Sequence, residues 1–226
     1  MSSVKVAVRC AGTEDPVLVY AAQELAHFLD AMTGRTTVTG DGDEGAVIRL
    51  GLFRDFDELD PISVSDPFWD DGYAIVSGPG GLTIAGTNPR SVLMGVYGYL
   101  RELGARWLWP GPEGEYLPAL EEIPLTGFAV RWVAPFRHRA VTTGPSSTLE
   151  HVLDYVAWLP RVEMNAFMVD ITGMPAAAWN RWYEHRGNPA WQERRTLSEE
   201  EGRAFEGEVL AATQLRGLLY HRGGHG

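Results

Sequence analysis

Residues 71–118 read DGYAIVSGPGGLTIAGTNPRSVLMGVYGYLRELGARWLWPGPEGEYLP, and this stretch decides the fold. Tyr73, Ile75 and Ser77 alternate with Ala74 and Val76, a pattern that predicts a half-buried strand. The Pro-Gly-Gly that follows predicts a tight turn, because glycine adopts a positive φ without steric cost. A return strand then runs to residue 86. The stretch therefore begins with a β-hairpin.

A capped helix is predicted directly after the hairpin. Asn88 is a suitable N-cap, and Pro89 suits the first helical position. Apolar residues then recur at helical spacing and form one stripe, and Gly104 is placed to end the helix. The aromatic segment 106–110 is too short for another helix and predicts a strand that ends in a Pro/Gly loop. Trp107 and Trp109 in it are expected to pack between two domains.

Residues 1–133 as a whole predict an α+β domain. A second capped helix is expected between Asp15 and Gly34, and further strands at 4–9, 36–38, 46–50 and 128–133. The expected arrangement is two helices on one face of a mostly antiparallel, or mixed, sheet. The acid-rich segment 53–70 is interpreted as a solvated loop or a single helical turn. Calcium binding is the alternative, but the ligand spacing of an EF-hand is missing.

The pattern changes to a β/α alternation in residues 134–226. Strands are predicted at 136–141, 165–171 and 218–221, and helices at about 148–158 and 197–216. Strand, helix, strand, helix, strand is typical of a parallel arrangement. A complete (β/α)8 barrel needs roughly 250 residues, far more than this segment provides. We therefore expect the N-terminal part of a truncated TIM-type barrel, and a protein that continues beyond Gly226.

Composition narrows the function classes. The chain has 226 residues, of which 45% are hydrophobic, and a net charge of −11, which argues against nucleic acid or an anionic membrane as a partner. Cys10 is the single cysteine, so neither an intramolecular disulfide nor a cysteine-based metal site is expected. Neither a signal peptide nor an apolar run of membrane-spanning length is recognisable. We expect a cytoplasmic protein; an exported parent whose signal was removed is the alternative.

One segment also resembles a known family. The pattern G-x-N-P-R-S-V-L-x-G-V-Y-x-x-L-x-x-L-G-x-R-W, at residues 86–107, resembles the small α+β domain that precedes the catalytic barrel of several glycoside hydrolases. The families in question are the family-67 α-glucuronidases, the family-20 β-hexosaminidases and related uncharacterised bacterial proteins. The resemblance covers residues 4–130. It implies a hexosaminidase domain-2-like accessory domain before the barrel.

The resemblance also implies substrate-binding residues. Active-site groups of such barrels project from the carboxyl ends of strands, which singles out Arg139, Asp170, His221 and His225. An Arg at the position of Arg139 grips hydroxyl groups of the terminal sugar in family 20, and its planar fork suits vicinal oxygens or a uronate. The alternative for Arg139 and for Asp170 is a structural ion pair. His225 lies in a Gly-Gly-His sequence similar to the Pro-Gly-His of family 20.

An aromatic cluster lies between the second predicted strand and the helix that follows it. It consists of Trp179, Trp182, Tyr183 and Trp191. Such rings could stack on sugar rings in a substrate cleft. The alternative is a small satellite core under a long loop.

The function implied is hydrolysis of a hexosaminide or a uronic-acid glycoside, without a cofactor or a metal. Glycoside cleavage needs two acids, or one acid and a substrate group. The resembled families carry these acids on later strands, so we expect no catalytic residue within this chain, and the fragment alone is expected to be inactive. The expected partners are a carbohydrate and the remainder of the barrel. A non-catalytic carbohydrate-binding or structural module is the alternative.

Overall fold

The computed structural model describes residues 6–11, 14–40, 46–143, 147–170 and 197–223, which form two larger sheets with their helices and one short two-stranded sheet. The strands are β1 (Val6–Cys10), β2 (Val38–Thr39), β3 (Ala46–Leu52), β4 (Gly72–Gly78), β5 (Gly81–Gly86), β6 (Arg106–Trp107), β7 (Glu115–Tyr116), β8 (Ala129–Val133), β9 (Ala140–Thr143), β10 (Ala166–Asp170) and β11 (Leu219–Gly223). The helices are α1 (Pro16–Thr33), α2 (Pro89–Glu102), α3 (Leu149–Trp158) and α4 (Glu199–Leu215). The short strands β6 and β7 pair only with each other.

The first sheet is mixed. Its six strands lie in the order β2-β1-β3-β5-β4-β8. The pairs β1–β2, β1–β3 and β3–β5 are parallel, whereas β4–β5 and β4–β8 are antiparallel. The expectation of a mostly antiparallel sheet is therefore wrong, and its mixed alternative is right. The reason is the connection between the strands. Helix α1 links β1 to the strands that follow it, and a helical crossover of this kind joins strands that run in the same direction.

The hairpin and helix predicted from residues 71–104 are confirmed. β4 and β5 pair antiparallel around a turn in which Gly81 has a φ of +125°. The Asn88 side chain accepts a hydrogen bond from the backbone N–H of Ser91, and Pro89 is the first helical residue of α2. Gly104 has a φ of +102° just beyond the helix, a conformation that favours glycine. Local sequence thus fixes both ends of this unit.

Each face of the mixed sheet is covered differently. Helices α1 and α2 bury one face in a large apolar core to which Phe28, Tyr97 and Ile84 belong. The segment after β3 covers part of the other face, where Phe53 and Ile62 pack on small residues of β4 and β5. The acid-rich segment is thus a 3₁₀ turn (Phe53–Asp55) and a loop, as predicted. Within the described residues no group of three or more potential metal ligands occurs.

The second sheet is parallel, as the β/α alternation predicted. Its strands lie in the order β11-β10-β9. Helices α3 and α4 pack on one face around Phe167, Val156 and Val209, which are almost fully buried. Thr148 caps α3, and Ser198 caps α4 through a reciprocal capping box.

The first parallel strand begins later than predicted. β9 starts at Ala140 rather than Phe136. The carbonyls of Phe136 and Arg137 accept hydrogen bonds from the side chains of Arg139 and Asn165, at 2.6 and 2.7 Å. These two residues therefore belong to a bend that leads into the sheet.

None of the helices within the described ranges is long and apolar enough to span a membrane.

One of the two tryptophans predicted at the junction lies there. Trp107 is buried, and its carbonyl accepts a hydrogen bond from the indole N–H of Trp158, at 3.0 Å. The Arg161 guanidinium lies 5.6 Å from the ring centroid of Trp107. Trp109 is 51% exposed, so its predicted place is wrong. The loop closes on itself through a hydrogen bond from Leu108 to Gly114 and keeps Trp109 at the surface.

Candidate functional site at the open face of the parallel sheet

The three-stranded sheet has one face that α3 and α4 do not cover. Val141, Phe167 and Tyr220 contribute to the core beneath the helices. Because side chains alternate along a strand, the next residues, Thr142, Met168 and His221, lie on the opposite face. These three are in register across the strands. We call this side of the sheet the open face.

A row of ring contacts runs from the open face to the loop before β4. The ring centroids of His221 and His138 are 5.4 Å apart, and those of His138 and Trp69 are 6.0 Å apart. Trp69 contacts Phe68 edge-on at 4.6 Å, and Phe68 is 64% exposed. We call Phe68, Trp69, His138 and His221 the aromatic row. Such rings can stack on the apolar faces of a sugar.

The predicted site residues lie at different places. His221 is on the open face within β11 and not at the carboxyl end of the strand, where we predicted it, because β11 extends two residues further, to Gly223. Asp170 is the last residue of β10 and pairs in register with Gly223, so it lies at the carboxyl end of its strand, and its sugar contact stays a prediction. His225 lies outside the described residues. The predicted aromatic cluster lies outside them too.

Arg139 lies at the amino end of β9, and its expected place after a strand is wrong, since β9 begins at the next residue. Its guanidinium is mostly buried and donates to an Asp71 carboxylate oxygen (2.7 Å) and to the carbonyls of Glu163 (2.6 Å) and Phe136 (2.6 Å). These contacts match the alternative interpretation, a structural ion pair. The sugar contact of Arg139 stays a prediction.

Asp71 is the acid that Arg139 meets, and its carboxylate is fully buried. Its Oδ1 accepts from Arg90 Nε (2.9 Å) and Nη2 (2.8 Å), from Asn88 Nδ2 (3.1 Å) and from Ser91 Oγ (3.2 Å). These donors lie at the start of α2, where the helix dipole also favours a negative charge. The first oxygen therefore ties β4 to α2.

The second oxygen of Asp71 faces the parallel sheet. Its Oδ2 accepts from Arg139 Nη2 (2.7 Å) and from Asn165 Nδ2 (2.8 Å). Asn165 is fully buried, and its Oδ1 accepts from the Arg139 backbone N–H (2.9 Å). Asn165 therefore also bonds backbone groups at the start of a strand. We call the set the Asp71 network; its members are Asp71, Asn88, Arg90, Ser91, Arg139 and Asn165.

Sequence reasoning missed the Asp71 network. The available signal was an Asp directly before a buried strand and an Arg in the first turn of the following helix, which a hairpin brings side by side. Arg139 and Asn165 carry no such local signal, because they meet Asp71 only in the folded chain.

The electrostatics of the network favour an ionised Asp71. Burial by itself raises the pKa of this carboxyl, but the charge of Arg90 and the hydrogen bonds from Arg90, Arg139 and Asn88 outweigh burial and hold the pKa below its ordinary value of 3.8. The group is therefore a carboxylate at neutral pH, paired with two cations.

Acid should weaken the fold through this group. A carboxyl whose pKa is lowered in the folded state binds a proton more readily when the protein is unfolded. Its contribution to the free energy of unfolding is therefore complete above about pH 5 and is lost as the pH falls through the lowered pKa. We expect the unfolding temperature to be flat from pH 7 to 5 and to fall below pH 4, measured by circular dichroism. The fall should be smaller in Asp71→Asn. An equal fall in both proteins would contradict the assignment.

Comparisons with known proteins place the fold in one broad class. No protein-family model matches this sequence, and no curated protein does. Among solved structures, a family-138 glycoside hydrolase that targets pectin rhamnogalacturonan II matches 98% of this chain with a TM-score of 0.64 and 11% identity. A family-115 4-O-methyl-α-glucuronidase with specificity for decorated arabinogalactans matches 97% with a TM-score of 0.62 and 15% identity.

A third match is the family-89 glycoside hydrolase from Clostridium perfringens, solved with its substrate GlcNAc-α-1,4-galactose, at a TM-score of 0.51 and 14% identity. The chain spans 31%, 28% and 27% of the length of these three proteins. At such identities the likeness concerns the fold alone. The chain therefore has a glycoside hydrolase-like fold, whereas the specific resemblance to families 67 and 20 stays a prediction.

Proposed function

We propose that this chain is the N-terminal portion of a glycoside hydrolase that acts on a hexosaminide or a uronic-acid glycoside without a cofactor. One observation carries the proposal: 98% and 97% of the chain match the solved structures of glycoside hydrolases of two families. The chain covers under a third of each of those proteins, which supports a longer parent.

The proposal assigns residues 134–226 to the first β/α units of a (β/α)8 barrel, and residues 1–133 to a hexosaminidase domain-2-like accessory domain. The parallel order of β9, β10 and β11, with helices on one face, supports this. Parallel sheets in proteins are normally covered on both faces. Further barrel strands would close around the open face and pair with β9 and β11, which each have one neighbour among the described strands.

The proposed substrate contacts are Asp170, His221 and His225. They come from the carboxyl-terminal half of β10 and from β11 with the residues after it, the side of a barrel where active sites are built. A carboxylate and imidazoles can bind sugar hydroxyls through directional hydrogen bonds. The catalytic acids are proposed to lie beyond residue 226. Glu163, an acid in this half, is engaged internally with Arg101 and with the Tyr73 hydroxyl.

The matched enzymes support the proposed substrate class. The family-89 enzyme was solved with its substrate GlcNAc-α-1,4-galactose, and the family-115 enzyme is a 4-O-methyl-α-glucuronidase. A pyranoside with a polar substituent, either an acetamido group or a carboxylate, is therefore the proposed substrate.

The test is an activity measurement on the longest reading frame that contains residues 1–226. Aryl α- and β-N-acetylglucosaminides and glucuronides, and glucuronosyl oligosaccharides, form the panel. We expect hydrolysis of one class, and at least about a tenfold loss of kcat/KM in His221→Ala, the loss of roughly one hydrogen bond to a sugar. His151→Ala is the matched control, because His151 is exposed on α3 and lies off the open face.

The second candidate is a non-catalytic carbohydrate-binding or structural module. It is favoured by the described part of the open face, which presents Thr142, Met168 and His221 rather than a pair of carboxylates. Sugar binding measured by NMR, without turnover by the complete protein, would establish this candidate and contradict the hydrolase proposal. Neither binding nor turnover would contradict both.

A further inference from the structure

The three strands of the parallel sheet begin beside a single buried carboxylate. We infer that Asp71 is a positioning residue that sets where β9, β10 and β11 start relative to one another, and through them where the residues of the open face lie. The importance of Asp71 for substrate binding rests on the proposed function, whereas its role in placing the strands rests on its hydrogen bonds alone. Each strand start has its own connection to Asp71.

The connection to β9 is direct. Arg139, the residue before β9, donates from Nη2 to Asp71 Oδ2 at 2.7 Å. The same guanidinium donates from Nε to the Glu163 carbonyl at 2.6 Å, two residues before Asn165. Because a guanidinium is planar and its donors are fixed in space, these bonds define where the chain enters β9.

The connection to β10 uses an amide. Asn165, the residue before β10, donates from Nδ2 to Asp71 Oδ2 (2.8 Å) and to the Arg137 carbonyl (2.7 Å). Its Oδ1 accepts from the Arg139 backbone N–H at 2.9 Å. One amide therefore joins the starts of β9 and β10 to the same carboxylate.

The connection to β11 passes through a second arginine. Arg90 donates from Nε and Nη2 to Asp71 Oδ1, and from Nη1 to the Gly217 carbonyl at 2.9 Å, two residues before β11. Its Nη2 also donates to the Phe68 carbonyl at 3.2 Å, in the loop that carries Trp69. Through Arg90, Asp71 is thus connected both to the start of β11 and to the loop that carries Phe68 and Trp69.

The contact between His138 and His221 reports on this arrangement without being part of it. His138 precedes β9 and His221 lies in β11, and their rings meet at 5.4 Å across the sheet. No described hydrogen bond joins either imidazole to Asp71. The ring contact will therefore persist in a variant that is merely less stable, but will be lost where the strand starts have shifted.

The experiment compares nuclear Overhauser contacts between the His138 and His221 rings in the 226-residue chain, assigned with His138→Gln and His221→Gln. The wild type is expected to show the contact, and Asp71→Asn to lose it while far-ultraviolet circular dichroism keeps its helical signal. Asp70→Asn is the matched control: the adjacent carboxylate pairs with Arg137 at 2.6 Å and stays outside the network. It should keep the contact.

Arg90→Lys keeps the experiment decisive if Asp71→Asn does not fold. Lysine retains the charge beside Asp71, but a single ammonium lacks the fork that reaches both Asp71 and the Gly217 carbonyl. Loss of the ring contact in this variant supports the inference. A folded Asp71→Asn or Arg90→Lys protein that keeps the ring contact and shows only a lower unfolding temperature would overturn it. Sugar binding and turnover do not enter this measurement, so the proposed function can fail separately.

Discussion

Replacing Asp71 with alanine is expected to lower the free energy of unfolding by about 3–5 kcal/mol, the usual cost of removing one partner of a buried ion pair. The side chains of Arg90 and Arg139 are only 6% and 9% exposed. Without the carboxylate, two buried cations would lose their counter-charge, and the Asn165 amide would lose one of its two acceptors. Urea denaturation followed by circular dichroism measures the effect.

The control for this prediction is Asp70→Ala. Asp70 also pairs with an arginine, but Arg137 is 44% exposed, and exposed ion pairs contribute little to stability. We expect a much smaller shift of the urea midpoint than in Asp71→Ala. Similar shifts in the two variants would show that Asp71 is an ordinary ion pair and not the centre of the fold.

Replacing Gly98 with alanine is expected to destabilise the protein by about 1–3 kcal/mol through overpacking, although alanine is the better helix former. A β-carbon at position 98 would lie 2.6 Å from the Tyr73 hydroxyl. Tyr73 cannot easily move away, because its ring is buried and stacks on Trp132 at 5.0 Å, and its hydroxyl donates to Glu163 at 2.8 Å. Chemical denaturation should show a lower midpoint.

Gly207→Ala is the matched control within the same chain. Gly207 lies inside α4, is exposed, and a β-carbon there would meet no atom within 4 Å. Helix propensity then acts alone, and a gain of roughly 0.5–1 kcal/mol is expected. If Gly98→Ala were also stabilising, the close packing of α2 on Tyr73 would not limit the residue size at position 98.

Most of the local structure followed from sequence. Asn88 with Pro89, and Asp15, each marked a helix start, and both Asn88 and Asp15 are caps in the structure. Caps and turns depend on a few neighbouring residues, so their chemistry can be read directly from the chain.

The pairing of the strands was less predictable. The hairpin from β4 to β5 was evident, because a short turn permits only an antiparallel neighbour. Whether β1, β3 and β5 lie side by side and parallel depends on contacts between distant segments, and periodicity carries no information on that choice. A contact between distant segments also explains the late start of β9, because the Asn165 side chain donates a hydrogen bond to the Arg137 carbonyl.

The candidate site divides in a similar way. Asp170 lies at the carboxyl end of its strand, as the predicted β/α pattern together with the geometry of such barrels indicated. Arg139 was assigned to the wrong end of its strand, because its pairing with Asp71 spans 68 positions of sequence.

The sequence by itself determined the helices with their caps, the hairpin, the apolar faces and the change from an α+β to a β/α pattern, since each of these depends on residues within a few turns of one another. Tertiary structure alone decided the order of the strands and the partners of Asp71. A buried charge must find compensating donors wherever the fold supplies them, and here the donors come from the start of α2 and from the residues just before β9 and β10.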